Sequence, residues 1–256
     1  MKFFGNETII TAFLAGIREG TLAHAYLLYG EKGIGKTTCA QYIARLLESD
    51  GAEHSLAPLL DVYTLLPEEG KTMIGVDAAR AVKAFLSEKP LRSTKRTVII
   101  PDAELLTDEA QGALLKIVEE PPASALIFFI AQDPQTLTPP LRSRLQKVYM
   151  RKMPKERIAE ILTEEYGVEK KTAILRAARS FGRLGEALRA EEKKEETSDD
   201  VYSFLERTIV SLWEKDKRKY APLLRTLLLR ESLITRYTVN ANLQKKAIEE
   251  IVHDAL

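Results

Sequence analysis

Residues 25–38 read Ala25-Tyr26-Leu27-Leu28-Tyr29-Gly30-Glu31-Lys32-Gly33-Ile34-Gly35-Lys36-Thr37-Thr38. An apolar run of strand length leads into G-x-x-x-x-G-K-T, and a segment of helical period, Thr38 to Leu47, follows. Each fixed position has a chemical reason. Glycines let backbone N–H groups curl around a β-phosphate, and the helix N-terminus adds its dipole. Lys36 would put a point charge on the β- and γ-phosphates, and the Thr37 hydroxyl can take a place on Mg²⁺. The expectation is ATP with Mg²⁺, held by Gly30, Glu31, Lys32, Gly33, Ile34, Gly35, Lys36, Thr37 and Thr38, with Thr37 as the metal ligand. The alternative is a glycine-rich strand–helix turn that matches by chance. Strand, loop and helix in the right order argue against it.

Outward from this loop, residues 1–150 alternate strand-length apolar runs with helical patterns. Leu59 to Leu66, Thr97 to Ile100, Ala125 to Ala131 and Val148-Tyr149 are further candidate strands. Ala78 to Leu86 and Asp108 to Glu119 carry apolar residues at helical spacing, and Pro121-Pro122 stops the second. Such alternation predicts an α/β fold, a parallel sheet with helices on both faces. After Tyr149 the strand signals stop. Helices are expected near Glu156 to Glu165 and Lys171 to Ser180, then a short one. A charged stretch at residues 189–200 reads as a solvated helix end and linker. Three amphipathic helices follow, marked by Phe204 and Leu205, by Leu223 and Leu224, and by Ile248 and Ile251.

Composition narrows the function classes. The chain has 256 residues, 45% apolar and 29% charged, so an ordinary core can be built. Its 38 basic and 37 acidic residues leave a net charge of +1, with no global basic field of the kind that marks a nucleic-acid binder. DNA contact would have to come from a local patch or from partner subunits. The single cysteine, Cys39, excludes an internal disulfide and a cysteine-based zinc cluster. The longest apolar run, Ala125 to Ala131, is far short of a membrane span. With no secretory signal at the N-terminus, a cytoplasmic setting and no membrane partner are expected.

Hydrolysis needs more than the loop. It wants an acid at the tip of a second buried strand to hold Mg²⁺ and polarise water. After Thr97-Val98-Ile99-Ile100 comes Pro101, which can do neither, then Asp102-Ala103-Glu104. Asp102 is a candidate catalytic carboxylate, with a solvated loop as the equal alternative. Glu104 reads as solvated loop.

These pieces resemble a known family. Leu105-Leu106-Thr107-Asp108-Glu109-Ala110-Gln111-Gly112-Ala113-Leu114-Leu115-Lys116-Ile117-Val118-Glu119-Glu120-Pro121-Pro122 is similar to the A-N-A-L-L-K-T-L-E-E-P-P signature of the AAA+ clamp-loader subunits of bacterial DNA polymerase III. Leu141-Arg142-Ser143-Arg144-Leu145 resembles their Ser-Arg-Cys motif, with Leu145 in place of the cysteine. Ile74-Gly75-Val76-Asp77-Ala78-Ala79-Arg80 resembles their I-x-I-D-x-x-R segment, and Val239-Asn240-Ala241-Asn242-Leu243 a C-terminal box of the delta-prime type. The resemblance implies an AAA+ P-loop domain over residues 1–151, a helical lid over 152–190 and a C-terminal helical collar domain over 198–256. It also implies partners: the gamma/tau and delta subunits in a hetero-oligomeric ring, a sliding clamp, and primed DNA reached through the complex.

Within the family, deviations favour the delta-prime type over the ATP-hydrolysing gamma/tau motor, which remains the alternative. Pro101-Asp102 stands where the motor carries Asp-Glu. Gly185 or Glu186 stands where the motor has a lid arginine, Arg183 being near but out of register. Ala131-Gln132 stands where it has a polar phosphate sensor. The four-cysteine zinc module of these subunits has no counterpart in Glu48 to Pro58. By the same resemblance Arg144 is the catalytic candidate, an arginine finger reaching a neighbour's γ-phosphate. Sequence alone leaves it equally an arginine paired with a local carboxylate. A P-loop kinase is a third reading, but nothing between residues 150 and 256 resembles an acceptor site. Weak or no ATPase activity is expected of the chain alone.

Overall fold

Leu27, Ile127, Phe129, Val98 and Ile100 face one hydrophobic core, while Tyr26, Leu28, Ile99, Leu126 and Phe128 face a second. That alternation is what a strand buried on both faces requires. The computed structural model describes residues 3–49, 58–68, 70–189, 201–216, 219–236 and 241–253. It contains one parallel sheet of β1 (Ala25–Tyr29), β2 (Val62–Thr64), β3 (Arg96–Ile100), β4 (Ala125–Ala131) and β5 (Gln146–Tyr149), in the order β2-β3-β4-β1-β5. The register sets Tyr26 beside Gln146 and Tyr29 beside Tyr149.

Helices α1 (Glu7–Glu19) and α2 (Lys36–Glu48) cover the face around Phe13, Cys39, Ala40 and Ile43. Helices α3 (Val76–Ser87) and α4 (Asp108–Glu119) cover the other with Ala79, Val82, Leu114 and Ile117. α5 (Pro139–Arg144) adds Leu141 to that core. This is the expected P-loop α/β sheet. The pattern did not mark α1 or α5, although Thr138-Pro139-Pro140 is a helix-start signal in hindsight. β2 is shorter than the expected Leu59 to Leu66. Its first neighbour, Asp61, turns inward to bind other backbone, and Pro67 offers no N–H to extend the ladder.

The helices α6 (Lys155–Glu164), α7 (Lys170–Arg179) and α8 (Leu184–Arg189) follow the sheet. Ile158, Ile161, Leu162, Ala173 and Ala177 are buried among them. The chain divides into two compact units, Met1–Ala187 and Leu188–Leu256. The second holds α9 (Val201–Asp216), α10 (Ala221–Arg236) and α11 (Ala241–His253). Its own core is built by Leu205, Leu212, Leu223, Leu224, Leu227 and Ile248. Residues 50–57, residues 190–200 of the charged run at 189–200, and Val239 and Asn240 of the C-terminal box lie outside the described residues. No helix among the described residues is long and apolar enough to cross a membrane.

Candidate functional site

β1 lies between β4 and β5, so the loop leaving its C-terminal end enters the crevice where open parallel sheets bind ligands. Three glycines of the loop, Gly30, Gly33 and Gly35, take positive φ, and at two of them a side chain would also collide. Gly30 has φ +140°, and a Cβ there would lie 2.5 Å from the Met150 carbonyl oxygen. Gly33 has φ +80°, and a Cβ there would lie 2.9 Å from Cδ of Arg183. The Met150 backbone and the Arg183 side chain therefore close on the loop from two sides.

Lys36, the first residue of α2, is 7% exposed, and its Nζ donates to the Gly30 and Glu31 carbonyl oxygens at 2.7 Å each. Burial lowers its pKa, and the carboxylates of Glu104, Asp102 and Glu31 act against that shift. Thr37 and Thr38 are half-buried in the first turn of α2, which contains no acidic residue. By helix geometry the first amide N–H groups of α2 have no partner within the helix. Together with a buried ammonium, this set of donors fits an anion of phosphate type. Among the described residues no group of three or more His, Cys, Asp or Glu is placed to hold a metal by itself.

The loop is tied to the segment that leads into α6. Glu31 pairs with Lys152 at 2.5 Å. Asn6 brackets Arg151, accepting from its N–H at 2.9 Å and donating to its carbonyl at 3.1 Å. Phe3 stacks on Tyr42 of α2 with centroids 5.8 Å apart.

The acids after β3 are arranged otherwise than the sequence suggested. Asp102 is exposed at the start of a 3₁₀ turn, Ala103–Leu105. Glu104 is half-buried, accepts from the backbone N–H of Gln132 just beyond β4, and has the largest opposing effect on Lys36, ahead of Asp102. It is not a solvated loop residue. Arg183 likewise falls outside the expected lid register. The Gly182-Arg183 step carries it to Gly33 all the same. The signals that could have found these two were short, Glu104 two residues after Asp102 and Arg183 two before Gly185.

Arg144 ends α5, and its Nη2 lies 2.6 Å from Oε1 of Glu119, the last residue of α4. Its Nη1 donates to the Pro140 carbonyl at 3.0 Å and to Ser143 Oγ at 3.3 Å. Arg142 donates instead to Gln135 Oε1. α5 is fixed by Gln111 of α4, 3% exposed, whose Oε1 accepts from Thr138 N–H at 2.7 Å. Leu145, in the place of the family's cysteine, is buried in the core. Arg144 therefore stands at the N-terminal end of β5, whereas the phosphate loop stands at the C-terminal end of β1. Tyr26 pairs with Gln146, and Gly30 lies four residues beyond Tyr26, about 13 Å along the strand at roughly 3.3 Å per residue.

The basic segment Lys89 to Arg96 ends in a buried arginine. Arg96 is 5% exposed, 3.7 Å from Asp61 and 3.0 Å from Glu88, with its guanidinium 4.5 Å from the Phe85 ring centroid. Asp61 accepts backbone N–H groups from Leu91, Arg92 and Ser93 at 2.7, 2.7 and 2.8 Å. Burial works to raise its pKa, but those bonds and the Arg96 charge bring it below the ordinary value.

The chain is similar to known proteins. Residues 5–154 match the family model described as DNA polymerase III, delta subunit. DNA polymerase III subunit delta' of Escherichia coli K12 is 33% identical over 187 residues, covering 72% of this chain and 54% of that protein. The gamma/tau subunit of Mycobacterium tuberculosis H37Rv is 31% identical over 182 residues, covering 64% of this chain and 31% of that one. The chain thus spans about half the length of the first relative and less of the second. Among solved structures, a DNA polymerase III gamma-subunit-related protein of Thermotoga maritima superposes with a TM-score of 0.50 at 23% identity, covering 94% of this chain and 90% of that one, a likeness of fold. With its phosphate loop, its sheet order and its signature helix α4, the chain belongs to the DNA polymerase III delta-subunit family of clamp-loader relatives with the AAA+ fold.

Proposed function

We propose that the chain is a delta-prime-like subunit of a replicative clamp loader that binds ATP and lends Arg144 to a neighbouring subunit. The observation that carries this reading is the separation of Arg144 from the chain's own phosphate loop. The two lie at opposite ends of the sheet, and the guanidinium is turned onto Glu119. An arginine so placed cannot serve its own nucleotide and is free to serve one held by another subunit. Fingers supplied in trans contribute around 10³–10⁵ to turnover.

For binding, the loop Gly30 to Thr38 would hold the phosphates, with Lys36 leaving the Gly30 and Glu31 carbonyls to meet them. Bound Mg²⁺, with Thr37 as its ligand from the loop, would supply charge neutralisation on the phosphates. Arg183, packed on Gly33, is a second cation beside the loop. The chain would work as three parts, a P-loop domain over residues 1–151, a lid over 152–190 and a collar over 198–256. Its partners would be gamma/tau and delta subunits in a ring, the sliding clamp and primed DNA, in the cytoplasm.

A gamma/tau-like motor is the second reading, and one pair of observations favours it. The Glu104 carboxylate favours the charged form of Lys36 ahead of Asp102, and Arg183 lies against Gly33. These are the kinds of group that hydrolysis requires. Steady-state turnover of the isolated chain separates the two readings. Little or no activity supports the delta-prime reading, and turnover above roughly 1 per second, an ordinary enzyme rate, supports the motor.

A further inference from the structure

We propose that Glu119 is a positioning residue for Arg144, presetting its guanidinium toward a phosphate held by a neighbouring subunit. This rests on the trans reading of Arg144 given above. A guanidinium has five N–H donors in a rigid fork. Glu119 engages Nη2, while the Pro140 carbonyl and Ser143 Oγ engage Nη1, so these contacts fix the plane of the group and leave Nε–H out of use. A long side chain that would otherwise sample many rotamers is thereby held in one. Loss of that order would be met again each time the finger engaged.

The anchor is itself held firmly. Glu119 closes α4, whose Leu114, Ile117 and Val118 are buried in the core. α5 is bound to the same helix through Gln111 and Thr138, and to the same core through Leu141. A carboxylate at a helix C-terminus lies at the unfavourable end of the dipole, so the site calls for a cation. Arg144 supplies it. The pair is partly exposed, with side-chain exposures of 43% and 38%, which leaves the guanidinium accessible while it is held.

The test uses the full chain reconstituted with its partner subunits, comparing Glu119→Ala, Glu119→Gln, Arg144→Ala and the double variant Glu119→Ala/Arg144→Ala. Glu119→Ala should lower the ring's ATPase kcat by about three- to tenfold, between the effect of an exposed ion pair and that of a charged hydrogen bond. KM and the chain's own nucleotide affinity should stay unchanged. Glu119→Gln, which keeps an acceptor without the charge, should fall between wild type and alanine. The double variant should be no slower than Arg144→Ala alone, because Glu119 acts only through Arg144. Additive losses, or an unchanged or faster ring with Glu119→Ala while Arg144→Ala is slow, would overturn the positioning role and leave the trans reading standing. A ring indifferent to Arg144→Ala would overturn the trans reading itself, and the positioning role with it.

Discussion

Arg144 and Glu119 close an ion pair at 2.6 Å between the last residue of α5 and the last residue of α4. Both readings of Arg144 open to the sequence, finger and local partner of a carboxylate, meet in this contact. The pair lies at the end of the sheet away from the phosphate loop, so local pairing and a role toward a neighbour are compatible.

At the other end of the sheet, Lys36→Ala should abolish measurable ATP binding by the chain. The lysine is the buried cation of the loop, and each 1.4 kcal/mol lost is about tenfold in affinity. Isothermal calorimetry on wild type and variant checks this. A wild-type chain that binds no nucleotide would make the loop a relic.

Gly30→Ala should destabilise the whole α/β unit by roughly 1–3 kcal/mol, the cost of holding a side chain in a left-handed conformation. The added Cβ would also meet the Met150 carbonyl oxygen at 2.5 Å, which cannot move without disturbing β5. Thermal unfolding measures it. Gly75→Ala, where φ is −85° and a Cβ meets nothing within 4 Å, is the control and should cost little.

Asp61 gives a pH dependence with a definite sign. Its folded pKa is depressed, so its contribution to stability is fully present above its unfolded value near pH 4 and is lost as pH falls through the folded value. Asp61→Asn should therefore cost about 3 kcal/mol at neutral pH, the scale of a broken buried ion pair. The gap in unfolding midpoint between wild type and variant should narrow steadily below pH 4. A gap independent of pH would show that the carboxylate's charge is not what holds the 91–93 backbone.

Much of this fold was legible because its signals are local. The phosphate loop, the double-faced strand Ala125 to Ala131 and the proline stop after α4 are each fixed by a short run of residues. What escaped depends on distant partners. Glu104 reads as solvated because its hydrogen-bond partner, the Gln132 N–H, comes from just beyond β4, and the Lys36 charge that it acts on comes from the start of α2. Arg96 is one of four basic residues between Lys89 and Arg96, yet Asp61, 35 positions earlier, draws it inside. Arg183 failed a test of register, but the chain's path, not its count, brings it to Gly33. Asp102 lies exposed two residues beyond β3.

The central claim is that Arg144 acts on a neighbour, and the ATPase rate of the reconstituted ring tests it most directly. Arg144→Ala should leave this chain's folding and ATP binding unchanged while lowering the ring's turnover by up to about 10³-fold, less if other subunits carry fingers of their own. Arg144→Lys should not restore the rate, because an ammonium cannot reproduce the planar two-pronged contact. In mixtures of wild-type and variant chains the defect should follow the variant and appear only when partners are present. Equal weakening of the isolated chain, or a ring that turns over at the wild-type rate, would contradict the account and leave Arg144 as the surface partner of Glu119 alone.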